Sequence, residues 1–321
     1  MESIITDTFR ADRRMQTPQL QFLPVQGPVS RDGAPRRLAF WDWPAQAGAD
    51  ARRVVICVHG LSRQGRDFDV LAQALTSRAR VLAVDVAGRG HSDWLADPAG
   101  YQVPIYAADL AQLVARVRAQ TPDAVIDWVG TSMGGLIGMV IAAQPALAPR
   151  RLVLNDVGPM IQWSSLVRIG SYVGLNPSFD SEQAAADYLA SISAGFGPHT
   201  PEQWTALSRP MLRERDGRWW LHYDPAIAKP FKALSEAVDE AGSREALNAG
   251  EAALWKLYDA IRSPVLLLRG ADSDLLTRET AEQMSRRGPQ ARCVEFAGVG
   301  HAPTLVSDDQ VAVVRDFLWA E

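Results

Sequence analysis

Ser132 stands in the run Gly130-Thr131-Ser132-Met133-Gly134, two residues after one glycine and two before another. A strand-like run, "AVIDWVG", precedes it, and a helix-like run, "LIGMVIAAQ", follows. A serine between small residues at a strand-to-helix turn has its hydroxyl held out at the carboxyl edge of a sheet, with the N–H groups of the new helix aimed at the same place. That is the setting of a nucleophile. A hydroxyl needs a base, and the chain offers His59, His91, His199, His222 and His301. His301, in "FAGVGHAPTL", follows the last strand-like run on a glycine-rich loop, which a doubly wound sheet returns to the edge that carries Ser132. A carboxylate must fix the tautomer of the base and stabilise its imidazolium form. "LLLRGADSDLL" supplies Asp272 or Asp274 after the preceding run.

The elements that would position these residues are legible as short apolar runs at 52–60, 79–88, 124–130, 150–158, 263–270 and 291–298. They are continuous rather than alternating, as in parallel strands buried on both faces. Helical patterns at 67–77, 104–120 and 277–287 separate them, and a last one begins at Ser307, a plausible cap. Upstream, "QLQFLPVQG" and "RRLAFWDW" alternate like an antiparallel hairpin. Alternating strand and helix implies a doubly wound α/β sheet. The regularity breaks between about 159 and 262, where no clear strand is visible and Trp163, Trp204, Trp219, Trp220 and Trp255 gather. A linker of that length without structure is improbable inside a compact domain, so a mostly helical lobe is expected there.

Composition narrows the classes of function. The 321 residues are 47% hydrophobic and 22% charged, with a net charge of −4, which suits a globular chain and gives no basic stripe for nucleic acid or an anionic membrane surface. No apolar run approaches the ~18–20 residues of a membrane span. The first 25 residues lack the charged start and apolar block of a secretory signal, so a cytoplasmic location is expected. Cys57 and Cys293 sit singly in apolar runs and read as small buried hydrophobes. They form no metal-binding or disulfide pattern.

At this point the sequence resembles the α/β-hydrolase fold family. The resemblance runs from about residue 35 to the C-terminus and rests on "VHG", "DVAGRGHSD", "GTSMGG", "LRGADSDLL" and "GVGHAP" in the order serine, acid, histidine. It implies a mostly parallel, eight-stranded, doubly wound sheet with an inserted helical cap. The expected parts are an N-terminal extension and first strand over 1–35, a core over 36–158 and 263–321, and a cap over 159–262. It implies Ser132 as nucleophile, His301 as general base, and the backbone N–H groups of Leu61 and Met133 as oxyanion donors. The family's loop usually reads Gly-x-x-Asp, and its third place here is Ser273. Asp274 is therefore the expected acid. Asp272 is one alternative and Asp156, in "LVLNDVGP", is the other, since some members place the acid one strand earlier. Arg63 is a candidate to bind a substrate carboxylate or else an ion-pair partner of Asp67 or Asp69, and Trp163 and Trp255 are candidates to line the pocket. His59 is expected to be structural.

The chemistry so implied is hydrolysis of a small or medium carboxylic ester through an acyl-enzyme, with no metal and no cofactor. C–C cleavage of a ring-fission product and lactone hydrolysis are the alternatives. The Gly-Thr-Ser elbow counts against the former, whose enzymes tend to read Gly-Asn-Ser. A ligand-binding receptor on the same fold is a further alternative. The expected partner is a small molecule, and no feature speaks to oligomeric state.

Overall fold

The apolar runs form one eight-stranded sheet. The computed structural model describes residues 16–230, 232 and 240–320. The strands β1 (Gln19–Pro24), β2 (Arg37–Trp43), β3 (Arg53–Val58), β4 (Arg80–Asp85), β5 (Val125–Thr131), β6 (Leu152–Asn155), β10 (Val265–Gly270) and β11 (Arg292–Phe296) lie in the order β1-β2-β4-β3-β5-β6-β10-β11. The first two pair antiparallel as the alternation predicts, β2 also runs antiparallel to β4, and all later neighbours are parallel. Every residue of β6 and β10 is buried, as is most of β3 and β4, which explains their unbroken apolar sequences. On the edge strand β11 the burial lapses. Cys57 in β3 is buried as expected, but Cys293 in β11 is exposed, because an edge strand has neighbours on one side only.

Helices α1 (Asp69–Leu75), α2 (Val103–Gln120) and α3 (Met133–Ala142) connect the early strands. Two apolar clusters fill the two faces of the sheet. Leu110, Leu113, Val114 and Ile137 belong to one, and Leu71, Leu75, Val314 and Leu318 to the other. Residues two apart along a strand face the same cluster, as Val55 and Cys57 do in one and Ile56 and Val58 in the other.

Between β6 and β10 the chain is not purely helical. It holds α4 (Trp163–Tyr172), α5 (Glu182–Ile192), α6 (Pro201–Ser208) and α7 (Glu240–Ala260), and also a small sheet of β7 (Ser178–Phe179), β8 (Leu212–Arg215) and β9 (Arg218–Leu221) in the order β7-β9-β8. Strands of two to four residues are too short to show a period in sequence. Backbone bonds tie this segment to the loop after β4: Gly90 N–H donates to His222 O (3.0 Å) and Asp224 N–H to Gly88 O (2.7 Å). Another joins it to the loop before His301, from Gly300 N–H to Gly195 O (2.7 Å).

After β10 come α8 (Arg278–Arg286) and α9 (Asp308–Trp319). Ser307 does occupy the position before α9 with an extended backbone, but its side chain caps nothing, and its hydroxyl oxygen is buried without a partner. No described helix is long and apolar enough to cross a membrane.

Candidate active site

The turn between β5 and α3 is as tight as its glycines suggest. Ser132 has φ 51 and ψ −116, a left-handed backbone that non-glycine residues adopt only where the surroundings force it. Gly134 packs so closely on β3 that a Cβ there would lie 1.9 Å from Val58 O, and one on Gly130 would lie 2.3 Å from Gly134 O. The serine amide is held by Asn155 O (2.9 Å), and Ser132 O accepts from Gly135 N–H (2.8 Å), starting the helix.

Ser132 Oγ lies 3.0 Å from His301 Nε2, and His301 Nδ1 lies 2.7 Å from Asp156 Oδ2. With an acceptor-only carboxylate on Nδ1, that nitrogen carries the proton and donates it, which leaves Nε2 to accept from the serine hydroxyl. Asp156 follows β6 with φ 55, and its side chain is fully buried. Its Oδ1 accepts from Gly270 N–H (2.9 Å), and its Oδ2 also accepts from Ser273 Oγ–H (2.6 Å). Ser273 is itself fixed, its Oγ accepting from the N–H groups of Leu275 and Leu276.

This geometry corrects the expectation for Asp274. Its carboxylate lies in a two-pronged pair with Arg168 (2.7 and 2.9 Å), nearly half exposed at the cavity over Ser132, and makes no bond to His301. Asp272 is exposed as well, and its backbone N–H donates to Val299 O in the turn. The residue against the histidine is Asp156, the alternative from the earlier strand. Two signals in the sequence point to it: a carboxylate at the end of an unbroken apolar strand, and a serine in the third place of Gly-x-x-Asp, where an acid would otherwise stand.

Leu61 and Met133 flank the serine. Met133 opens α3, so its N–H belongs to the first turn, where amides have no partner within the helix. Leu61 lies on the loop after β3, beneath which His59 is fully buried. His59 Nε2 accepts from Val86 N–H (2.9 Å), so Nδ1 carries the proton and donates to Gly60 O (2.6 Å). Burial pushes the His59 pKa down to about 3, which keeps the ring neutral. Holding the Gly60 carbonyl inward turns the N–H of the same trans peptide, that of Leu61, outward. His59 is therefore a brace for the loop, as expected.

A cavity of about 400 Å³ opens over Ser132. Its walls include Ile169, Tyr172, Leu189, Phe196 and Leu221 from the segment between β6 and β10. Arg63 also lines it, with both prongs on Asp67 (2.7 and 2.6 Å) and a further bond to Leu207 O (2.9 Å), so the ion-pair reading holds. Burial pushes the Asp67 carboxyl up, against the pull of Arg63. Trp255 is not at this cavity: it packs edge-on against Tyr258 (5.8 Å), with the Arg287 guanidinium 4.1 Å from its ring. Trp163 opens α4, and its side chain lies outside the described residues. Among the described residues no cluster of histidine, cysteine and carboxylate side chains is arranged to hold a metal.

Comparison with known proteins places this geometry in a family. The chain is 46% identical over 305 residues to a 3-hydroxybutyrate-oligomer hydrolase of Cupriavidus necator, covering 94% of this chain and 98% of that one. It is 27% identical to an esterase of Mycobacterium tuberculosis over 84% of each chain. The crystal structure of an alpha/beta hydrolase from Novosphingobium aromaticivorans superposes with a TM-score of 0.77 at 33% identity, covering 95% of this chain and 99% of that one. A model of the alpha/beta hydrolase family matches residues 55–315. The chain therefore belongs to the alpha/beta hydrolase family.

Proposed function

We propose that the protein is a serine hydrolase that cleaves short linear oligoesters of a hydroxy acid through an acyl-enzyme. The observation that carries the mechanism is the continuous hydrogen-bonded row Ser132–His301–Asp156 at the floor of a cavity. Ser132 Oγ attacks the ester carbonyl carbon as His301 Nε2 takes its proton. Asp156 stabilises the resulting imidazolium and holds it in place. The tetrahedral oxyanion faces the N–H groups of Leu61 and Met133. Collapse breaks the bond to the alkoxy oxygen, which leaves as an alcohol with the proton from His301. Water then repeats the sequence on the acyl-enzyme, releasing the acid and restoring Ser132.

The substrate class is supported by the 46% identity to the oligomer hydrolase along nearly its whole length. The cavity agrees with it, having apolar walls for methyl and methylene groups and a volume fit for a few ester units. In this reading the segment over 159–262 is a cap that excludes water from the reacting carbonyl.

The test is monomer release from the dimer and trimer of 3-hydroxybutyrate, beside a p-nitrophenyl ester series from acetate to dodecanoate. The oligomers and the short esters should be cleaved with kcat/KM well above that for dodecanoate. Ser132→Ala should lower kcat by roughly 10⁴-fold or more while the fold is kept. Turnover of short esters with none of the oligomers would leave a carboxylesterase of another specificity. A folded Ser132→Ala protein with wild-type rate would remove the nucleophile.

A further inference from the structure

The loop after β4 carries Arg89 between two glycines that both have positive φ. Its side chain is fully buried. A buried arginine is usually paired with a carboxylate, since a desolvated charge is costly and guanidinium does not give up its proton. Among the described residues no carboxylate bonds to Arg89. Its partners are neutral dipoles: Nε donates to Leu61 O (2.7 Å), and Nη1 donates to Ala87 O (2.7 Å) and Tyr106 Oη (2.8 Å). Nη2 lies 3.8 Å from Met133 Sδ. The guanidinium also lies over the faces of Tyr106 (5.0 Å) and Tyr101 (5.7 Å).

Two of these contacts fall on the residues that flank Ser132. Leu61 is gripped on both sides: the carbonyl before it by His59 and its own carbonyl by Arg89. With both peptide planes fixed, the direction of its N–H is fixed too. Met133 is touched through its side chain by the same guanidinium. One cation, bonded to no carboxylate among the described residues, thus touches both residues from which the oxyanion would be stabilised. In a site closed off from water, a fixed charge acts on the developing anion with little screening.

We propose that Arg89 is a positioning residue for the oxyanion: it locks Leu61 and Met133 into one rigid cradle and lends that cradle a positive charge from behind. The proposal rests on the serine-hydrolase reading above. Its effect belongs to the transition state, because the charge on the carbonyl oxygen appears only there.

The experiment compares wild type, Arg89→Met and Arg89→Lys, with every rate expressed per site titrated by a fluorophosphonate. It measures kcat and KM on a p-nitrophenyl ester, and Ki for an alkylboronic acid, which forms an anionic tetrahedral adduct on a serine oxygen. For Arg89→Met, kcat should fall roughly 10- to 100-fold with KM within about threefold, and the boronate Ki should rise by a similar factor. Arg89→Lys keeps the charge but cannot reach Leu61 O and Met133 together, so it should lie between. A merely structural role would lower the number of titrated sites without moving Ki. An Arg89→Met enzyme whose per-site kcat stays within about twofold of wild type, or whose loss lies in KM with Ki unchanged, overturns the proposal. If the methionine variant does not fold, the lysine variant decides: wild-type kcat and Ki together overturn the proposal, and a joint loss supports it. Failure of the underlying reading looks different: wild type itself would not be labelled, Ser132→Ala would stay active, and the role of Arg89 would fall with it.

Discussion

Asp156 receives three hydrogen bonds through its two oxygens, from His301, Gly270 and Ser273, in a place closed to water. An amide in its stead could still accept but would favour the wrong tautomer of the histidine. Asp156→Asn should therefore lower kcat by roughly 10⁴-fold at unchanged fold, while Asp274→Asn and Asp272→Asn stay within a few-fold of wild type. Steady-state kinetics on one ester decides among the three, and a crippled Asp274→Asn enzyme would restore the acid to the later loop. Ser273→Ala removes one donor from the carboxylate and should cost roughly tenfold in kcat, the order of a single hydrogen bond to a charged group. Ser132 and His301 were legible because each sits in a run that only one geometry explains. The acid was less so, since a one-residue displacement in "GADSD" left two carboxylates near the expected place. Only the fold brings the end of β6 beside that loop.

Among the elements, the β5–α3 turn is held by contacts that leave no room for a methyl group. Gly134→Ala would push a Cβ into the carbonyl of Val58 on the central strand β3, where neither backbone can retreat without breaking sheet pairing. The variant should lose roughly 3 kcal/mol or more of stability, or fail to accumulate as folded protein, as read by denaturant melts. Gly170→Ala, on α4 with open space around the position, should leave the melt unchanged or slightly raised. The strands of the large sheet could be read from sequence because burial on both faces makes their apolar runs continuous. The three short strands between β6 and β10 could not: β9 is "RWWL", and a pair of tryptophans in a polar setting fits a helix as well as a strand. Tertiary pairing with β7 and β8 decides the matter there.

For the molecule as a whole, two buried histidines oppose acidification of the fold. Burial depresses His59 to about 3 and His222 to about 4, both below the ordinary 6.5. A group depressed in the folded state contributes stability above its unfolded pKa and loses it as pH falls toward its folded pKa. These two therefore weaken the fold progressively between about pH 6.5 and pH 3–4. Asp85 works in the opposite sense: burial raises it to about 6 from 3.8, so its contribution is full below 3.8 and fades as pH rises to about 6. Burial also raises the carboxyls of Asp67, Asp69, Asp109 and Asp127 and lowers His91, so the slope of Tm with pH is the balance of the two sets and the share of one histidine is read by difference. In a thermal melt series from about pH 7 to pH 4.5, His222→Gln should lose less Tm than wild type on acidification, and an identical pH profile in the variant would assign no acid sensitivity to His222.

The backbone bonds that join Gly88 and Gly90 to Asp224 and His222 have a mechanical consequence. Along that seam the roof of the cavity and the shelf bearing Arg89 are one piece, and lifting one would tear the other. The segment between β6 and β10 is fastened elsewhere too, by Gly300 N–H on Gly195 O and by Arg168 of α4 on Asp274, so any movement that widened the cavity would break contacts on more than one side.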